Sequence, residues 1–288
     1  MYLFRLIVGA LLLSVLFPNI ANAQLLVNKS FSPANIPPAA TSTLTIQIFN
    51  NTATAATAVN LTDNLPTSPT GLTIGPGGLL SNSCGGTVTA TPGTTTVTLT
   101  GGAVAASSGG VAGQCTITVQ VQTVAASAGQ SYSNTIPIAN VSSSIGGSVS
   151  PATATLSVSG VNAITGSKTF TPTNLHGNGP ATRMRIQLNN SNSFPLTNVA
   201  FTDNFPTQLE LAATPNVSNS CGGAVTAVGG GFSLALSGGT IPASGNCVIQ
   251  ADVVARLPNT SPNDGNATNS IAANNVTSAQ GARNTAAI

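Results

Sequence analysis

The chain of 288 residues matches itself at an offset near 140 residues, and that internal repeat constrains the fold more than any other feature. Lys29-Ser30-Phe31-Ser32-Pro33 aligns with Lys168-Thr169-Phe170-Thr171-Pro172, and Ile46-Gln47-Ile48 with Ile186-Gln187-Leu188. Leu61-Thr62-Asp63-Asn64-Leu65-Pro66-Thr67 aligns with Phe201-Thr202-Asp203-Asn204-Phe205-Pro206-Thr207. Ser81-Asn82-Ser83-Cys84-Gly85-Gly86 recurs unchanged at residues 218–223, Cys115 matches Cys247, and Asn134 matches Asn269. The offset drifts down to 132, so copy two carries small loop deletions. A period this long exceeds the 20–50 residues of a solenoid unit and marks duplication of a whole domain.

Within each copy the apolar residues alternate with period two. Leu44, Ile46 and Ile48 share one face of a strand, as do Met184, Ile186 and Leu188. Cys115, Ile117, Val119 and Val121 form another such face, repeated by Cys247, Ile249, Ala251 and Val253. Residues 94–100 and 232–236 read as further strands, and Gly75-Pro76-Gly77-Gly78 and Gly229-Gly230-Gly231 as turns. Thr, Ser, Val, Asn and Gly dominate while Lys and Glu are scarce, which is strand and turn composition. Short strands at regular spacing, each with one apolar face, predict an all-β chain. The expected architecture is two tandem immunoglobulin-like antiparallel β-sandwich domains, about seven or eight strands each. The predicted boundaries are a signal peptide over residues 1–23, one repeat over 24–160 and a second over 161–288.

Arg5, an apolar run from Leu6 to Phe17 and the small-x-small site Ala21-Asn22-Ala23 make the secretory signal. The rival, an uncleaved anchor, needs a longer apolar stretch. The predicted location is therefore extracellular or at a cell surface, with no membrane insertion after cleavage. Beyond residue 23 the cations are Lys29, Lys168, Arg183, Arg185, Arg256 and Arg283, against Asp63, Asp203, Glu210, Asp252 and Asp264. Such a balance lacks the basic stripe that nucleic-acid binding needs. The two cysteines per copy, 31 and 26 residues apart, predict one disulfide in each, Cys84–Cys115 and Cys221–Cys247. No Cys/His cluster suggests a metal, and no cofactor is expected. His176, the only histidine, sits in a turn of copy two and reads as a solvated loop residue. Glu210, Asp252 and Asp264 do not recur and read as surface acids, so no catalytic residue is assigned and no enzymatic activity is expected.

The motifs Lys-x-Phe-x-Pro, Thr-Asp-Asn-Leu-Pro and Ser-Asn-Ser-Cys-Gly-Gly resemble those of the DUF11-like immunoglobulin-fold repeats of large exported bacterial proteins. That resemblance implies a stalk or spacer module of an adhesin-like protein, its partners further repeats of the same protein or a surface ligand. One departure concerns the last strand. Copy one ends in Pro151-Ala152-Thr153-Ala154-Thr155-Leu156-Ser157-Val158, whereas copy two stops at Ile288, about where that strand starts. The expectation is a fragment of a longer gene product; the alternative is a domain completed by a strand from a partner.

One constellation has chemical content. Lys29 and Lys168 are the only lysines, Asp63 and Asp203 the only acids that recur, and Asn134 and Asn269 recur on a late strand. A lysine amine, an asparagine amide and a shared carboxylic acid are the parts of a self-formed isopeptide bond. Burial would make the lysine a neutral nucleophile and the aspartate a neutral acid able to polarise the amide. The Thr-Asp-x-Leu-Pro strand resembles that of Gram-positive pilin and adhesin domains, which use such a trio. The alternative places Lys29 at the surface, Asp63 in a turn ahead of Pro66, and Asn134 on a loop backbone. Two functions compete with each other: a structural or adhesive spacer, and a protein- or glycan-binding module using sandwich-end loops. A glycan site would want exposed aromatics, and the chain has no Trp and a single Tyr, Tyr132, after the signal.

Overall fold

The computed structural model describes residues 24–173, 175, 179–256 and 268–288. The predicted signal peptide and His176 lie outside the described residues. Copy one comprises β1 (Leu25–Ser32), β2 (Asn35–Ile36), β3 (Thr41–Asn50), β4 (Ala56–Asn64), β5 (Thr73–Asn82) and β6 (Thr87–Ala90). It continues with β7 (Thr96–Val104), β8 (Gly113–Gln122), β9 (Ser131–Ile136), β10 (Val141–Ser142) and β11 (Ala152–Val158). The strand orders are β1-β3-β8-β5, β10-β4-β7-β6 and β2-β11-β9. Pairing is antiparallel except where β2 runs parallel to β11. Copy two repeats the plan with β12 (Thr165–Thr171), β13 (Thr182–Asn190), β14 (Leu196–Asn204), β15 (Leu209–Leu211), β16 (Ser218–Asn219), β17 (Ala224–Thr226), β18 (Ser233–Ile241) and β19 (Gly245–Ala255). Its sheets are β12-β13-β19-β15, with β16 also on β19, and β14-β18-β17.

The alternation read from the sequence is what builds each core. In β3 and β8 every second residue is buried, and the register sets Leu44 opposite Val119, Ile46 opposite Ile117 and Ile48 opposite Cys115. In copy two Met184 faces Ala251, Ile186 faces Ile249 and Leu188 faces Cys247, the same layer of side chains. Opposed apolar pairs on one face are the unit of sheet stability. Two separate clusters result, one per copy. The chain is therefore two tandem all-β, immunoglobulin-like sandwiches, as the sequence predicts.

Three details differ from the sequence reading. Gly75-Pro76-Gly77-Gly78 is not a turn but lies inside β5, where the pairing with β8 shifts register between Ile74 and Leu79. A proline in a strand needs such a bulge, because it has no N–H for the ladder. The strands expected over 94–100 and 232–236 run to Val104 and Ile241. Asp252 is not a lone surface acid: its Oδ1 lies 2.9 Å from Arg183 Nη1, and Oδ2 accepts from Asn216 Nδ2 at 2.7 Å. Those hydrogen bonds outweigh what burial it has and hold its carboxyl below the usual range.

Between the copies the connection is short and tied at both ends. Ser159 N donates to Ile36 O at 2.9 Å and Gly129 N to Ser159 O at 3.2 Å, on copy one. Asn162 N donates to Asn192 Oδ1 at 2.7 Å, and Asn192 Nδ2 returns a bond to Asn162 O at 3.2 Å, on copy two. Gly160 and Val161 lie between, and Val161 packs on the second core. At the far end Ile288 exchanges both backbone hydrogen bonds with Ile271, the place Ala152 holds opposite Ile136 in copy one.

Candidate functional site

The same period-two logic that builds the core carries three polar residues into it. In β1 the inward positions are Leu25, Val27, Lys29 and Phe31. Leu61, Asp63 and Leu65 face inward along β4 and just past its end, and Tyr132, Asn134 and Ile136 do so in β9. The Lys29 and Asp63 side chains are 0% exposed, and Asn134 is fully buried too. The alternative of a surface lysine and a turn aspartate is thereby excluded. Asn64 and Asn204, each the residue after the aspartate, point outward and are exposed.

Lys29 Nζ lies 2.5 Å from Asp63 Oδ2, and Asn134 Nδ2 donates to the same Oδ2 at 3.3 Å. Copy two reproduces the arrangement: Lys168 Nζ is 2.6 Å from Asp203 Oδ2, and Asn269 Nδ2 donates to that oxygen at 3.3 Å. One carboxylate oxygen thus touches both the lysine nitrogen and the amide nitrogen. Asn134 is on β9, whereas Asn269 lies in a stretch without strand assignment and is partly buried. A groove of about 440 Å³ lies between β1 and the start of β11 in copy one, lined by Val27, Lys29, Gln47, Pro151 and Thr153, and neither Asp63 nor Asn134 lines it.

These groups are poorly satisfied. Among the described residues, six buried side-chain polar atoms lack a hydrogen-bond partner, and all six belong to the two trios. They are Nζ of Lys29 and Lys168, Oδ1 of Asp63 and Asp203, and Oδ1 of Asn134 and Asn269. The lysine nitrogens contact the carboxylates and have no other polar partner. Native interiors leave few such groups, and each calls for an explanation. Burial pushes the Lys29 amine down to about 8, against the opposing pull of Asp63. It lowers Lys168 as well, and it raises Asp203, with the charge of Lys168 opposing. Desolvation therefore favours the uncharged amine in both copies and the uncharged acid at Asp203, because charge is costly in low dielectric.

The cysteines form both predicted bridges, Cys84–Cys115 and Cys221–Cys247, each with Cα atoms 4.9 Å apart, and no described cysteine is free. Loops of that size stabilise by roughly 3–4 kcal/mol in the chain-entropy account. The repeated Ser-Asn-Ser-Cys-Gly-Gly motif is explained by the turn that leads from β5 to β6. Asn82 Nδ2 donates to Gly85 O at 3.0 Å while its Oδ1 accepts from Cys84 N at 2.9 Å. Asn219 does the same in copy two, at 2.8 Å in each case. Gly85 and Gly86 both have positive φ, and a Cβ on Gly86 would collide with the carbonyl oxygen of Thr100.

A second recurrent asparagine escaped sequence reading. Asn50 Nδ2 bonds Thr54 O and Ala105 O, and Asn190 Nδ2 bonds Phe194 O and Pro242 O, both from buried positions. Their alignment at the 140-residue offset was the signal available. Tyr132 is fully buried, its hydroxyl bonded to Thr70 O and Ser127 Oγ. No group of three or more His, Cys, Asp or Glu suited to a metal occurs among the described residues, and no helix there is long and apolar enough to cross a membrane.

A family model described as a domain of unknown function, DUF7933, matches residues 26–158 and again 165–287. The family shown is thus DUF7933 and not the DUF11-like group that the motifs resemble. Among curated proteins no sequence matches. Among solved structures, the type II cohesin dyad from the adaptor ScaA scaffoldin of Acetivibrio cellulolyticus is similar at 12% identity and a TM-score of 0.28, over 89% of this chain and 94% of that one.

Proposed function

The chain belongs to the DUF7933 family in two tandem copies, and from that premise we propose that it is a structural or adhesive spacer segment of an exported bacterial surface protein. The observation that carries this reading is the duplicated, internally braced sandwich with a connection hydrogen-bonded to both copies. Each copy holds its own disulfide, which fits an extracellular protein. The secretory signal predicted at residues 1–23 and the motif likeness to DUF11-like repeats support the same reading. The reading involves no catalysis on a separate substrate, and its partners are further repeats or a surface ligand. Burial of Tyr132 leaves it unable to stack on a sugar, which weighs against the glycan-binding alternative.

Small-angle X-ray scattering of residues 24–288 tests the spacer reading. It predicts one elongated particle whose maximum dimension is the same at low and high salt, since few charges are present to respond. A broad distribution of distances between the two lobes contradicts it.

A further inference from the structure

We propose that each copy closes an intramolecular amide bond, Lys29 to Asn134 in the first and Lys168 to Asn269 in the second, with Asp63 and Asp203 as the proton-transfer groups. The inference stands on the geometry of the trios and does not depend on the spacer reading.

Three observations carry it. The first is placement: lysine, aspartate and asparagine come from three different segments, yet converge inside the core on one carboxylate oxygen. The second is duplication: the same contacts recur at 2.6 and 3.3 Å in a copy whose surroundings differ in loop length and side chains. The third is the confinement of every partnerless buried polar atom among the described residues to these two sites. A stable ion pair of structural purpose would have its remaining lone pairs and protons satisfied, because a buried pair is favourable only then. Here one carboxylate oxygen and the amide oxygen have no partner, and the nitrogen has nothing beyond its contact with the carboxylate.

The reaction needs no external reagent. Lys29 Nζ, as a neutral amine, attacks Cγ of Asn134 while the Asp63 carboxylic acid gives its proton to the amide oxygen. The resulting carboxylate takes a proton from Nζ and delivers it to Nδ2, which already lies at Oδ2. The Cγ–Nδ2 bond breaks, ammonia leaves, the hydroxyl proton returns to Asp63, and the carbonyl reforms. One amine and one primary amide become one secondary amide and one ammonia, with no change of oxidation state. The product holds no buried charge. Its N–H and C=O are complementary to a protonated aspartate, which carries one acceptor and one donor. Confinement of the reactants in the folded core supplies the effective concentration that such a condensation needs.

The test is the intact mass of the purified secreted chain after reduction and denaturation. Wild type is expected to lack two ammonias relative to its sequence, Lys29→Met one, and Lys29→Met/Lys168→Met none. Cyclisation of an N-terminal glutamine removes the same ammonia from all three and drops out of the differences. Pepsin digestion of wild type alone is a second measurement, independent of how the variants fold. It is expected to release a branched peptide joining the segment around Lys29 to that around Asn134. Equal ammonia content in the three proteins, or linear peptides only from wild type, overturns the proposal.

Discussion

Lys29, Asp63 and Asn134 occupy inward positions among apolar neighbours, and that placement lowers the proton affinity of the lysine. Desolvation takes the Lys29 amine from 10.5 to about 8. In a variant that keeps the amine free, such as Asn134→Ala, the unfolded chain binds more protons than the folded one between about pH 8 and 10.5. Stability of the first domain then rises with pH through that window and levels off above it. In wild type the nitrogen is an amide and does not titrate, so the rise is absent. Denaturant midpoints at pH 8 and pH 10 for both proteins check this, and equal slopes contradict it. The inward phase of these residues was legible in the alternation Leu25-x-Val27-x-Lys29-x-Phe31, once β1 is read as a strand with one buried face. Their convergence was not, because it depends on how β1, β4 and β9 are stacked, which no local pattern encodes.

At the level of elements, the turn that leads from β5 to β6 shows what the repeated motif is for. Asn82 clamps it, Cys84 ties it to β8, and Gly86 passes against the backbone of Thr100. Gly86→Ala adds a collision with backbone to the cost of positive φ and is expected to destabilise the first domain by about 2–4 kcal/mol. Gly85→Ala shares the positive φ but meets nothing within 4 Å, and is expected to cost only about 1 kcal/mol. Thermal unfolding of the two variants separates close approach from backbone strain, and equal losses would falsify that assignment. The strand faces, the disulfides and the duplication were all readable because each rests on a period or a count. The bulge in β5 was misread as a turn because Gly and Pro mark both features, and only pairing with β8 distinguishes them. The Asn50 and Asn190 networks were missed because an asparagine at a strand end looks like any loop residue until its carbonyl partners are placed.

Over the whole molecule, two braced sandwiches follow one another through a connection tied to both. A bond from β1 to β9 would remove residues 30–133 from the path that a pull on the ends of copy one can lengthen. At roughly 3.3–3.6 Å per residue that is on the order of 350 Å of slack denied to each stretch of chain. Such a tie suits a segment that must keep its length, and it joins the covalent account of each domain to the spacer reading of the pair. The chain contains two lysines, both in the trios. The most direct measurement is therefore the number of free ε-amines in the reduced, fully denatured protein, counted with an amine-specific label located by peptide mapping. The predicted result is no label at Lys29 or Lys168. Full labelling of both would show that the trios are unreacted pairs and would contradict the account.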